Sequence, residues 1–117
     1  MAQAPGNSRR GQAIFKKLCK QCHSLEPDGR GKAQGPSLWG VIGLPAGSLV
    51  KVWGGSGYKL ERIGFIWTEE IMKTWLQYPK LVVGDQRGDR SCMSFRGMEA
   101  EEDRDDLVAF LCKSGPP

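Results

Sequence analysis

Three stretches of the chain repeat their apolar positions with the period of a helix. Gly11, Ile14, Phe15, Leu18 and Cys22 fall at steps of three, one, three and four, on one face, and leave Lys16, Lys17 and Lys20 on the other. Ser8 stands where a hydroxyl would cap that helix. A second helix is expected to open at Thr68, with Glu69 and Glu70 against the positive end of its dipole. It should bury Ile71, Trp75, Leu76 and Tyr78 and stop at Pro79, whose ring cannot continue the hydrogen-bond ladder. A third begins among Glu99, Glu101, Glu102 and Asp103, carries Leu107, Val108, Phe110 and Leu111, and ends at Lys113 before Gly115, Pro116 and Pro117. Acid first, base last, then Gly and Pro are helix boundary signals.

Between these helices lie residues 24–66 and 80–98, rich in glycine, with short apolar runs at 38–42 and 49–53 and no sustained strand alternation. Loops beyond about 12–15 residues are uncommon in compact domains unless they wrap a ligand. The 117 residues suffice for one domain, but 39% hydrophobic content with 16 Gly and 7 Pro makes an unaided core thin. A large apolar cofactor would complete it. Residues 1–7 read as a loose lead-in, without the apolar core of a secretory signal, and 8–117 as a single domain. No apolar run approaches the roughly 18 residues of a membrane span, and 26% charged residues of mixed sign do not describe a disordered tail. The expectation is a soluble, monomeric protein. A net charge of +4 and a pI near 9.0 favour acidic partners. The basic residues are scattered and carry no nucleic-acid motif, so a docking patch and a merely solvated surface both stay open.

The chemistry is concentrated in Cys19-Lys20-Gln21-Cys22-His23. Cys-x-x-Cys-His is the attachment signal for c-type haem. Two thiols three positions apart at a helix end share a face and can add to the vinyl groups along one haem edge, while the adjacent imidazole points at the iron. A thioredoxin-like pair would sit beside a strand in a β-α pattern, which is absent here. A zinc site would need a second ligand pair, and Cys92 and Cys112 lie twenty positions apart. His23 is the only histidine.

With Gly11 and Phe15, Gly35-Pro36-Ser37-Leu38-Trp39-Gly40, Gly64-Phe65-Ile66-Trp67, Tyr78-Pro79-Lys80, Met93-Ser94-Phe95-Arg96-Gly97 and the run from Arg104 to Leu111, the sequence resembles the class I cytochromes c over about residues 8 to 113, in particular bacterial relatives of the mitochondrial protein. The resemblance implies an all-α small cytochrome c fold, with three main helices and long Gly-rich loops wrapped around one covalent haem c. It implies that Gly11 and Phe15 cross against Leu107 and Phe110, and that Pro36 offers its carbonyl to the outer nitrogen of His23. It further implies that Met93 is the second axial ligand, and that Tyr58, Trp67 and Ser91 approach the propionates. Three features depart from the family pattern: residues 83–92 replace the usual Pro-Gly-Thr-Lys, Leu44 replaces a common arginine, and Trp75 stands where relatives often carry a tyrosine toward the methionine sulfur.

Met72, Cys92, Met93 and Met98 are all chemically able to fill the sixth position. In an extended loop, successive side chains point to opposite sides, so Met93 and Cys92 cannot both face the iron. Phe95 shares the side of Met93 and would cover the haem edge. A His/Met pair held in both oxidation states suits a one-electron carrier and leaves no open site for substrate. The alternatives are a five-coordinate haem enzyme or gas or peroxide sensor, and a thiol-redox or zinc module. As a carrier, the protein would shuttle electrons between larger acidic redox proteins such as respiratory complexes or a dehydrogenase, with Lys16, Lys17, Lys20 and Lys80 around the exposed haem edge. Thioether attachment is completed outside the cytoplasm, which predicts the periplasm, or alternatively the mitochondrial intermembrane space. Cys92 and Cys112 form either a disulfide or two small buried thiols.

Overall fold

The computed structural model describes residues 6–54, 63–83 and 97–116. Helix α1 spans Ser8–Leu18, α2 Ser48–Trp53, α3 Glu69–Gln77, α4 Lys80–Val83 and α5 Glu101–Lys113. The described residues form no named strand; an isolated antiparallel bridge joins Pro45 and Ile66.

The cap of α1 is Asn7, not Ser8. The Asn7 carboxamide accepts from the Arg9 and Arg10 amides at 3.0 and 3.1 Å, a reach open to a side chain one residue before the first turn. Ser8 is already helical, and its hydroxyl accepts from Lys113 Nζ at 3.1 Å. Gly11 and Phe15 form the buried face of α1.

That face crosses α5 closely. A methyl group at Gly11 would lie 1.9 Å from the Asp106 carbonyl oxygen and 2.8 Å from Phe110 Cβ. The Phe15 and Phe110 rings sit 5.6 Å apart at 53°. From α5 the core takes Leu107, Val108, Ala109 and Leu111, while Phe110 is only partly buried. Beside the crossing, the buried Asp106 carboxylate accepts from Asn7 N at 2.7 Å and from Arg10 at 2.5 Å. Arg10 also bonds Asp103 at 2.6 Å.

Thr68 caps α3 through a bond from Ile71 N at 3.1 Å. The buried positions are Met72, Trp75 and Leu76, one face at the i, i+3, i+4 spacing. Ile71 is half-buried and Tyr78 is 44% exposed, contrary to the pattern reading. Tyr78 is the C-cap, in extended backbone at φ −170°, so it no longer follows the helical period. Pro79 ends α3 as expected, but the chain then forms the single turn α4, which the loop reading of 80–98 did not foresee. The apolar run at 49–53 lies within α2. Around the isolated bridge, Gly43 N donates to Trp67 O, Trp67 N to Leu44 O and Ala46 N to Phe65 O at 2.7–2.9 Å, which ties the indole of Trp67 into the core.

Candidate functional site

The chain continues to wind after α1 ends. Cys19 N and Lys20 N both donate to Phe15 O, and Cys22 N and His23 N both donate to Cys19 O, at 3.0 and 2.9 Å. This extra turn gathers the two thiols and the imidazole on one short arc. Both thiols are unpaired and partly buried. The Cys19 thiol is pushed up to about 11, first by burial and then by Cys22.

His23 Nδ1 lies 2.8 Å from Pro36 O. A carbonyl only accepts, so Nδ1 carries the proton and Nε2 keeps its lone pair. Burial lowers the ring's pKa, the bond to Pro36 opposes that shift, and the Lys32 charge adds to it. The result is a neutral imidazole, the form that ligates a metal. Gly35 packs against the same ring: a methyl group there would meet His23 Cε1 at 2.7 Å and Cys22 O at 3.0 Å.

Loop 24–38 holds Pro36 in place through Leu38 N to Ser24 O at 3.0 Å and the buried Ser37 hydroxyl to Glu26 O at 3.0 Å. Lys32 N donates to Gly35 O at 2.9 Å, and Trp53 Nε1 to Lys32 O at 2.8 Å.

Trp67 and Trp75 are both buried, in edge contact at 5.5 Å and 80°, and Phe65 meets Trp67 at 4.9 Å and 90°. Met72 and Met98 pack in the same core cluster. Met98 is fixed from three sides. Its N–H donates to Leu76 O at 2.7 Å, its carbonyl accepts from Arg104 at 2.5 Å, and Gly97 before it abuts Gln77 O so tightly that a Cβ would sit 2.1 Å away.

Lys16, Lys17 and Lys20 are exposed. Tyr58, Ser91, Cys92, Met93 and Phe95, together with the side chain of Lys80, lie outside the described residues. Cys112 is an exposed thiol without a disulfide. The pattern reading passed over Lys32, and it gave Gly35 and Arg104 no role. Their contacts reach 3 to 21 residues along the chain and follow no period; the Gly-Pro pair before an apolar run was the one local hint.

The donor set suits a covalent tetrapyrrole: two thiols on one arc for thioether bonds, and a neutral imidazole with a free lone pair beside them. The core cluster supplies apolar and aromatic side chains, Phe15, Trp67 and Trp75 among them. Among the described residues no three His, Cys, Asp or Glu side chains gather as a site for a bare ion. Fold and site together define an all-helical c-type haem protein. The Cytochrome c family matches residues 8–114. The chain is 32% identical to cytochrome c of Kluyveromyces lactis, over 93% of this chain and 92% of that one. It is also 32% identical to cytochrome c of Gossypium barbadense, over 94% and 92%. Its fold is similar to that of cytochrome cH from Methylobacterium extorquens, with a TM-score of 0.75 and 31% identity over 92% of this chain and 99% of that one. The chain belongs to the cytochrome c family, has the small all-α cytochrome c fold and binds one covalent haem c. The family's role is electron transport.

Proposed function

We propose that this protein is a one-electron carrier in which Cys19 and Cys22 hold haem c by thioether bonds and His23 and Met93 are the axial ligands. The carrying observation is the fixed tautomer of His23: Nδ1–H is committed to Pro36 O, which aims the basic Nε2 lone pair and raises its donor strength. The haem supplies a one-electron iron couple. The chain's own residues orient the imidazole, exclude water through Trp67, Trp75 and the core around them, and present Lys16, Lys17 and Lys20 to an acidic partner. Met72 and Met98 each have a packing role in the core cluster, which supports Met93 as the sixth ligand. On this reading residues 8–117 are one monomeric domain that also takes in Asn7 as the cap of α1, the residues before Asn7 are its lead-in, and the site of action is extracytoplasmic. The periplasm is the proposed compartment and the mitochondrial intermembrane space the alternative; similarity to a Methylobacterium cytochrome and to eukaryotic cytochromes c fits either.

The test is a visible spectrum of the holoprotein with one variant. The carrier shows a low-spin haem with the weak far-red methionine–iron band. Met93→Ala keeps covalent haem, loses that band, lowers the potential and admits azide. A high-spin wild-type spectrum would turn the reading toward a five-coordinate enzyme or sensor. A band retained in Met93→Ala but lost in Met98→Ala or Cys92→Ser would move the ligand.

A further inference from the structure

Lys32 is tied to the site at three points. Its N–H donates to Gly35 O at 2.9 Å, its carbonyl accepts from the Trp53 indole at 2.8 Å, and its ammonium donates to the carbonyl of Lys20. That last carbonyl lies between the two cysteines. The Lys32 side chain is half-buried, whereas Lys16, Lys17 and Lys20 are exposed. On the same loop, Asp28 and Arg30 pair with each other at 3.3 Å and leave the Lys32 charge uncompensated by them. A lysine on a free stem is hydrated and its charge screened; one held against the protein keeps its charge in one place with less water around it.

We propose that Lys32 sets the reduction potential: it is a fixed cation on the His23 side of the haem that disfavours the ferric state. This rests on His23 being an axial ligand. Haem c would supply a one-electron ferric/ferrous couple, the electron coming from a donor protein and passing on from the ferrous form to an acceptor, with no bond made or broken. Reduction removes one positive charge from the site, so a fixed positive neighbour favours the reduced form.

The test is the midpoint potential of the holoprotein by optical redox titration, for wild type, Lys32→Met, Lys32→Gln, Lys32→Arg and Lys20→Met. The two neutral Lys32 variants should lower the ferrous-to-ferric ratio at fixed ambient potential by about two- to fivefold, the size of one partly screened charge. At 59 mV per tenfold this is about 20–40 mV. Lys32→Arg should stay at the wild-type value, Lys20→Met should move the ratio by a smaller factor, and the Lys32→Met shift should persist at about 0.5 M salt, where exposed charges are screened. Gln keeps a donor toward Lys20 O and so carries the test if Met disturbs the loop and the far-red band. Wild-type potentials in both neutral variants would overturn the proposal. So would a shift no larger than that of Lys20→Met, or an equal shift in Lys32→Arg. Failure of the His23 reading is seen separately, as a low-spin spectrum retained in His23→Ala.

Discussion

Gly35 carries a constraint that no helical or strand period expresses. The space its missing side chain leaves is filled by the His23 ring, and the neighbouring Pro36 carbonyl fixes the proton on Nδ1. Gly35→Ala must push the imidazole, or the turn, by a few tenths of an ångström. It should cost about 1–3 kcal/mol, as overpacking typically does. Denaturant unfolding of the holoprotein measures the loss, and a shifted or broadened His23 Nδ1–H resonance locates it. At this scale Cys19, Cys22 and His23 were legible because five consecutive residues carry the whole pattern. Gly35, Lys32 and Pro36 reach this five-residue motif across 12 to 13 positions, and such contacts leave no local periodicity.

The joint between α1 and α5 depends on Gly11 and Asp106. Gly11→Ala would drive a methyl group into the Asp106 backbone, where neither helix can yield without separating; a loss of about 3 kcal/mol is expected from overpacking of this severity. Asp106 has its pKa held below the ordinary carboxylate value of 3.8, first by the Asn7 N–H and then by Arg10. The folded protein therefore binds fewer protons there than the unfolded chain. This contribution is complete above the ordinary carboxylate range and is lost as pH falls through the lower folded value. Asp106→Asn should destabilise the protein at pH 7 and narrow the stability difference between pH 7 and pH 3; an unchanged difference in urea midpoints would remove Asp106 from the acid response. Arg104 ties α5 to the segment just before it through Met98 O and Glu99 O, and Met98 N in turn bonds Leu76 O of α3. Replacing Arg104 by alanine should cost about 2 kcal/mol, the range of charged hydrogen bonds to partly buried carbonyls.

The three long helices were read correctly from period and end signals. The errors lie where one residue's geometry decides: Asn7 caps α1 in place of Ser8, and the extended backbone of Tyr78 releases it to solvent. The short helices α2 and α4 have too few turns to show a period at all.

Across the whole molecule, charge is arranged unevenly but less so than composition implies. Lys16 and Lys17 end α1 on an exposed surface, whereas acidic residues open α5. Several of those acids are already matched, Asp103 and Asp106 by Arg10, with Glu102 3.9 Å from the same guanidinium, and Asp105 by Lys73 at 3.3 Å, which leaves the exposed Glu101 as the acid of the first turn of α5 without an ion pair among the described residues. Electron transfer to an acidic partner should slow several-fold between low and physiological ionic strength, and replacing Lys16, Lys17 and Lys20 together by Glu should slow it further and flatten the salt dependence. Stopped-flow rates at several salt concentrations test this, and a rate indifferent to salt would return these lysines to the role of solvated surface.

From its sequence alone, the protein reads as a helical c-type haem protein, with Cys19 and Cys22 expected to carry the haem and His23 expected to lie beside the iron. Helix period, end signals and the attachment motif are all local, and local chemistry survives in any fold that keeps those segments helical. Tertiary structure decided which glycine makes room for the imidazole, which carboxylate locks the two terminal helices and which lysine is held while its neighbours stay in water, whereas the Pro36 carbonyl was already expected from the family resemblance. Each depends on two segments distant in sequence meeting within about 3 Å, and that separation is set by packing of the whole chain.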